Sequence, residues 1–174
     1  MKKVVNESIQ EFLEKLGNRF SKSATLYLLG GSALILLGST RDTLDIDYVG
    51  NDIQSNEFQK TIEEVAHELG LETEAVPIQQ FIPITQEERS LYFGKFGNVQ
   101  VYIFDPYSIA LSKLDRGFDT DLDDVTFLLK QNIINLQQFE SFVNQTSGNA
   151  KEFDIDINQM RSHLDAVRSR LLKG

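Results

Sequence analysis

A chain of 174 residues with no cysteine and only two histidines cannot build disulfides, thiolate metal sites or a histidine-rich zinc site. Any metal it binds is a hard cation held by oxygen, in practice magnesium, manganese or calcium. An apolar content of 41% suits one packed core, while a net charge of −9 argues against a broad nucleic-acid surface, though not against contact with one nucleic-acid end.

The opening residues, MKKVVNESIQEFLEKL, lack the continuous apolar stretch of a signal peptide, and no apolar run reaches membrane-spanning length. The expectation is a cytoplasmic protein that does not engage membranes. Val5, Ile9, Phe12, Leu13, Leu16 and Phe20 recur at helical spacing, which predicts an amphipathic helix over the first twenty residues. Residues 25–29 (TLYLL) read as a short buried strand stopped by Gly30 and Gly31. Ser32 to Leu37 then reads as a helix closed by Gly38, in the position of a cap glycine. Asp45 to Val49 is a second strand. Phe58, Ile62, Val65, Ala66 and Leu69 line one face of a helix ending at Gly70.

LETEAVPI follows as a third strand. After a loop holding Pro83, LYFGKFGNVQVYIF reads as two strands joined at Gly97-Asn98. From Pro106 the pattern is helical, over about 106–117, 121–131 and 135–145, then a linker TSGNAK (146–151) and a last helix through Ile157, Met160, Leu164, Val167 and Leu171. His67 and His163 each fall within a helix and read as structural or surface residues. The order predicts an α/β (α+β) protein with a mixed sheet, flanking helices and a C-terminal helical tail.

The chemistry concentrates in Asp45 and Asp47. Residues i and i+2 of a strand project to the same side, so the two carboxylates stand together while Ile46 turns into the core. Two such groups in an apolar setting cannot both ionise cheaply, and a divalent cation between them relieves the conflict. A cation so held is suited to a triphosphate and to charge developing in phosphoryl or nucleotidyl transfer. Gly30 and Gly31 end a strand and open a helix, with Ser32 adding a hydroxyl, an arrangement able to cradle phosphates. The turn is neither a Walker A loop nor GxGxxG. The run Asp119-x-Asp121-x-Asp123 mimics the start of an EF-hand, but Asp124 stands where that loop needs Gly and Lys130 where it needs Glu.

Gly31-Ser32, twelve residues, then Asp45-Ile46-Asp47 resembles the signature of the nucleotidyltransferase superfamily with the DNA polymerase beta-like fold. The longer stretch GGSALILLG…RDTLDID is similar to the AbiEii-like group of small toxin–antitoxin and abortive-infection nucleotidyltransferases. A second region, DPYSIALSKLDRGFDTDLDDVTFLL, resembles that group's D-P-x-x-L-x-x-x-K-L element and its aspartate-rich turn. The resemblance covers roughly residues 25 to 130. It implies a nucleotidyltransferase domain over 1–145, with 146–174 a linker and helix packed on the same domain.

It implies further that Asp45 and Asp47 bind Mg2+ (or Mn2+) and are catalytic. Gly30, Gly31, Ser32 and Arg41 would lie at the phosphates of a nucleoside triphosphate. Lys113 would contact the phosphates and assist catalysis, with Asp121 and Asp124 positioning substrate or lysine. A third carboxylate belongs on the LETEAVPI strand, where Glu74 is the candidate and Glu72, on the same side, the alternative; the family usually carries Asp there. The implied reaction moves a nucleoside monophosphate to a protein or an RNA 3′ end, in a toxin–antitoxin or phage-defence setting. The alternative is a catalytically silent member that binds a nucleotide or a partner, as an antitoxin would.

Overall fold

Strand alternation gives the central sheet one buried apolar face and a second face that carries the acids, tyrosines and Lys95 together with the buried Leu29. The computed structural model describes residues 2–51, 55–80 and 87–174, so the predicted loop at Pro83 lies outside the described residues. Strands β1 (Ala24–Leu29), β2 (Asp45–Val49), β3 (Glu72–Val76), β4 (Leu91–Phe96) and β5 (Val99–Ile103) form one sheet in the order β3-β2-β1-β5-β4. β1 is parallel to β5 and β2 to β3, whereas β1/β2 and β4/β5 are antiparallel. The mixed α/β architecture is thus as expected.

Two compact units make up the chain: Met1–Gln80 with Arg89–Phe104, and Phe81–Glu88 with Asp105–Gly174. The first holds the whole sheet together with α1 (Asn6–Arg19), α2 (Gly30–Leu36) and α3 (Glu57–Leu69). Leu26, Leu28, Ile46, Tyr48, Val99, Val101 and Ile103 are buried on one sheet face. Ile9, Phe12, Leu13 and Leu16 of α1 and Ile62, Val65 and Ala66 of α3 are buried too, and the two helices pack on each other. Phe20 and Phe58 close one end of that contact with ring centroids 4.7 Å apart. Burial pushes the Tyr48 phenol above its ordinary value, and the charge of Glu63 adds to the shift.

One expectation is corrected at the N-terminus. The helix starts at Asn6, because Val4 is extended and bridged to Thr43, its N–H donating to the Thr43 carbonyl at 3.0 Å. Ser8 then closes the first turn, accepting from the Val5 N–H and donating to the Val5 carbonyl, both at 2.9 Å. Helical periodicity ran on through Val5, but a contact 39 residues away in sequence decided its backbone, as Val4 pairs with Thr43.

The second unit is helical: α4 (Pro106–Arg116), α5 (Asp119–Lys130), α6 (Leu136–Thr146) and α7 (Ile157–Lys173). Met160, Leu164 and Val167 of α7 are buried, and α7 packs on α4 and α5. The helix α5 starts at Asp119, before the expected start near residue 121, because acids in a first turn interact favourably with the positive end of the helix dipole. A 3-10 turn, Ser147–Asn149, occupies the predicted linker. Among the described residues, no helix is long and apolar enough to cross a membrane.

An exposed ionic cluster ties α1 to α3. Hydrogen bonding from Arg19, reinforced by Lys15, lowers the Glu68 carboxyl from 4.5 to about 2. A carboxyl lower in the folded than in the unfolded state stabilises fully above its unfolded pKa and loses that contribution as pH falls through the folded one. The melting-temperature gap between the parent and Glu68→Gln is therefore expected to be constant at neutral pH and to close between pH 4.5 and about 2. A gap that stays constant through this window would show that the cluster contributes nothing; at this exposure, salt should also narrow it.

Candidate functional site

Parallel pairing of β2 with β3 sets Asp45 opposite Glu72 and Asp47 opposite Glu74, so all four acids face the polar side of the sheet. Ile46 and Tyr48 point the other way and are buried. Carboxylate oxygens of Asp45, Asp47 and Glu74 lie within 4.8 Å of one another, the first two half-buried and the third exposed. Glu72, on the same face, is not part of that group. Two ligand oxygens of a magnesium or manganese ion stand at most about 4.2 Å apart, given metal–oxygen distances near 2.1 Å. Small side-chain rotations bring the three carboxylates into that range, so this donor set fits a hard divalent cation.

The glycine turn abuts this cluster directly. β1 meets β2 at Leu29 opposite Asp47, and the next residue, Gly30, takes φ +61 as α2 begins. A Cβ on Gly30 would stand 1.7 Å from Asp47 Oδ2, so the missing side chain makes room for the carboxylate. A Cβ on Gly31 would meet Thr43 Oγ1 at 2.6 Å and Arg41 Nε at 3.2 Å. Arg41 therefore lies over the turn, with its Nε donating to the Asp42 carbonyl at 3.2 Å. Ser32 is fully buried, and its hydroxyl donates to the Leu29 carbonyl at 3.0 Å, bracing the strand-to-helix turn.

Thr43 is the residue that sequence reasoning missed. Its hydroxyl donates to Asp45 Oδ1 at 3.2 Å, which fixes one oxygen and turns the carboxylate. The Val4 bridge and the Lys3–Asp42 ion pair (2.7 Å) hold the segment that carries it. The available signal was its place two residues before Asp45, on the same side of an extended chain.

The second sequence motif builds a different object, in the helical unit. Asp105 caps α4, accepting from the Tyr107 N–H at 3.0 Å and from the Ser108 hydroxyl at 2.8 Å, and Pro106 fills the first helical position. Lys113 is only 5% exposed, and its ammonium lies 2.7 Å from Asp124 and 3.4 Å from Asp121. Arg116 grips Asp121 through two nitrogens, at 2.6 and 3.2 Å. The structure thus brings Lys113, Asp121 and Asp124 to one another across α4 and α5.

Two stability predictions follow from these contacts. Gly30→Ala is expected to cost about 2 kcal/mol or more in urea unfolding, from the left-handed backbone and the collision with Asp47. Adding Asp47→Ala should recover the collision part, and an additive pair would show that the two residues do not meet. Lys113→Met strands acids whose side chains are 4–6% exposed, at an expected cost of about 3–5 kcal/mol. Lys113→Met combined with Asp124→Leu should recover most of this loss, and a single-variant cost near zero would refute the buried lock.

Comparison with known proteins agrees with the direction of this geometry. No curated protein and no solved structure gives a significant match. A family model described as a nucleotidyltransferase of unknown function matches residues 6–169, which takes in the sheet, the carboxylate cluster and most of the helical unit. The chain belongs to that nucleotidyltransferase family, DUF6036.

Proposed function

We propose that the chain is a metal-dependent nucleotidyltransferase of the polymerase beta-like kind, moving a nucleoside monophosphate from a triphosphate to an acceptor hydroxyl. The convergence of Asp45, Asp47 and Glu74 beside the Gly30-Gly31 turn carries this reading. Asp45 and Asp47 would hold Mg2+ or Mn2+, with Glu74 beside them as the third carboxylate. The bound ion supplies charge neutralisation, for the triphosphate and for the charge that develops on transfer.

The acceptor oxygen forms a bond to the α-phosphorus, the bond from that phosphorus to the bridging oxygen breaks, and pyrophosphate leaves. Glu74, the exposed member of the cluster, takes the proton from the acceptor hydroxyl. Thr43 holds Asp45 in orientation. Arg41 over the Gly31 turn supplies positive charge to the phosphates, while Gly31 and Ser32 shape the backbone there. The resemblance also gives Lys113 and Asp121 to the nucleotide. Their buried ion pairs supply a second role, and nucleotide binding by the Lys113→Met protein, where it folds, separates the two.

The test uses the position of the label. Incubated with magnesium, total RNA and cell protein, the parent is expected to pass label from an α-phosphate-labelled triphosphate to a macromolecule, but none from the γ-labelled form. Asp45→Asn and Asp47→Asn should each lose this transfer by at least about 10²-fold while melting near the parent temperature. Transfer of the γ-label would mean phosphoryl transfer instead. Triphosphate binding with no transfer from either position would leave a silent binding module.

A further inference from the structure

The carboxylate cluster shares its sheet face with a row of tyrosines. Leu29 lies opposite Asp47, so Tyr27, two residues earlier on β1, points to the same face one row along. Tyr27 pairs with Tyr102 on β5, and Tyr102 with Tyr92 on β4. The ring centroids are 5.4 Å apart at each step, with interplanar angles of 30° and 67°. Tyr27 and Tyr102 are half-buried, Tyr27 also meeting the buried Phe104 edge-on with centroids 6.2 Å apart, and Tyr92 at the end of the row is 59% exposed. Tyr102 is held from its tip, its hydroxyl donating to Gln100 Oε1 at 3.2 Å.

Beside Gln100 on the same face stands Lys95, exposed and without an ion-pair partner among the described residues. A row of aromatic faces next to a cation is the equipment for stacking successive bases of a single strand.

We propose that this row binds the 3′ end of a single-stranded RNA, as the acceptor strand of the transferase proposed above, with Lys95 on a phosphate and bases on Tyr102 and Tyr92. Three strand spacings and a two-residue offset put Tyr92 about 16 Å from Asp47. That is beyond the base of a single nucleotide whose phosphates sit at the carboxylates, so the occupant has consecutive bases. The outer rings carry the affinity. A strand end needs few phosphate contacts, which suits a chain of net charge −9.

The inference rests on the transferase reading only for the direction of the strand, and its test does not need catalysis. The full chain, with EDTA and without triphosphate, is titrated with a 5′-fluorescein-labelled single-stranded RNA of ten mixed-sequence nucleotides and followed by anisotropy. Tyrosine emission gives a second readout with unlabelled RNA, because the chain has no tryptophan and three of its five tyrosines form the row.

Tyr92→Ala is expected to weaken binding about 5- to 150-fold, the effect of losing one stacked base, while Tyr92→Phe binds like the parent. Lys95→Ala should lower the slope of log affinity against log salt by about 0.7. The same RNA as a blunt duplex should bind more weakly, and a DNA strand of the same sequence shows whether the 2′-hydroxyls contribute. The proposal is overturned if the parent fails to bind the strand, if the duplex binds equally, or if Tyr92→Ala binds as the parent does. Any of these results alongside intact α-label transfer leaves the transferase reading standing with its acceptor elsewhere. RNA binding without transfer removes the transferase reading and keeps the surface.

Discussion

The register between β2 and β3 is the constraint on which the site depends. Asp47 faces its neighbours only because Asp47 pairs with Glu74 on one side and Leu29 on the other. A slip of one residue would turn the acids into the core and bring Ile46 and Tyr48 out to solvent. The same buried side chains that stabilise the sheet therefore aim the carboxylates, and no side chain of the cluster has to do so itself. Core burial at Ile46 and Tyr48 and acid convergence on the other face are two results of one alternation.

Placing three acids together costs Coulomb energy, and the surrounding chain accommodates it by geometry. Gly30 leaves room where any other residue would collide with Asp47, and it accepts the left-handed backbone needed to turn from β1 into α2. Ser32 braces that turn from inside, and Thr43 offers Asp45 a neutral donor. The acids of the helical unit are treated differently. Asp121 and Asp124 meet Lys113 and Arg116 directly, so charge there is consumed in holding α4 to α5. Two acidic motifs in one chain thus have opposite electrostatic designs, one closing on its own cations and the other gathering carboxylates on a partly open face.

Much of this was legible in the sequence because it is local. The side shared by Asp45 and Asp47 follows from strand alternation, the start of α4 from Asp105-Pro106, and the end of α2 from Gly38, which takes φ +99. What escaped depends on contacts between distant segments. Nothing near Val4 announces that it pairs with Thr43, and so the helix was expected to begin too early. For Lys113, the resemblance alone offered Asp121 and Asp124 as partners, and no local pattern shows that both fold back onto it. The glycines were visible as a turn, but their reason was not: the space beside them is filled by Asp47, Thr43 and Arg41 of the same chain. The tyrosine row was invisible for the same cause, since Tyr27 meets Tyr102 only once β5 pairs with β1, and Tyr92 joins the row through Tyr102.

Sheet order is what joins these parts. With β5 beside β1, one sheet face carries the acids of β2 and β3 at one end and the exposed Tyr92 at the other, with the buried Leu29 and the half-buried Tyr27 and Tyr102 between them. An acidic protein gains little from long-range attraction to a polynucleotide, and a cationic cover would pair with the carboxylates of the cluster and neutralise them. Aromatic contact avoids that conflict, because stacking depends on ring faces and shape and not on net charge. The face can thus hold anionic oxygens at one end and present uncharged rings at the other, with Lys95 as a local cation. The connection β4–β5 sets this division of labour: its antiparallel pairing carries Tyr92 to the edge, and the register shift between Tyr92 and Gly94 still leaves Lys95 paired with Gln100 on the same face.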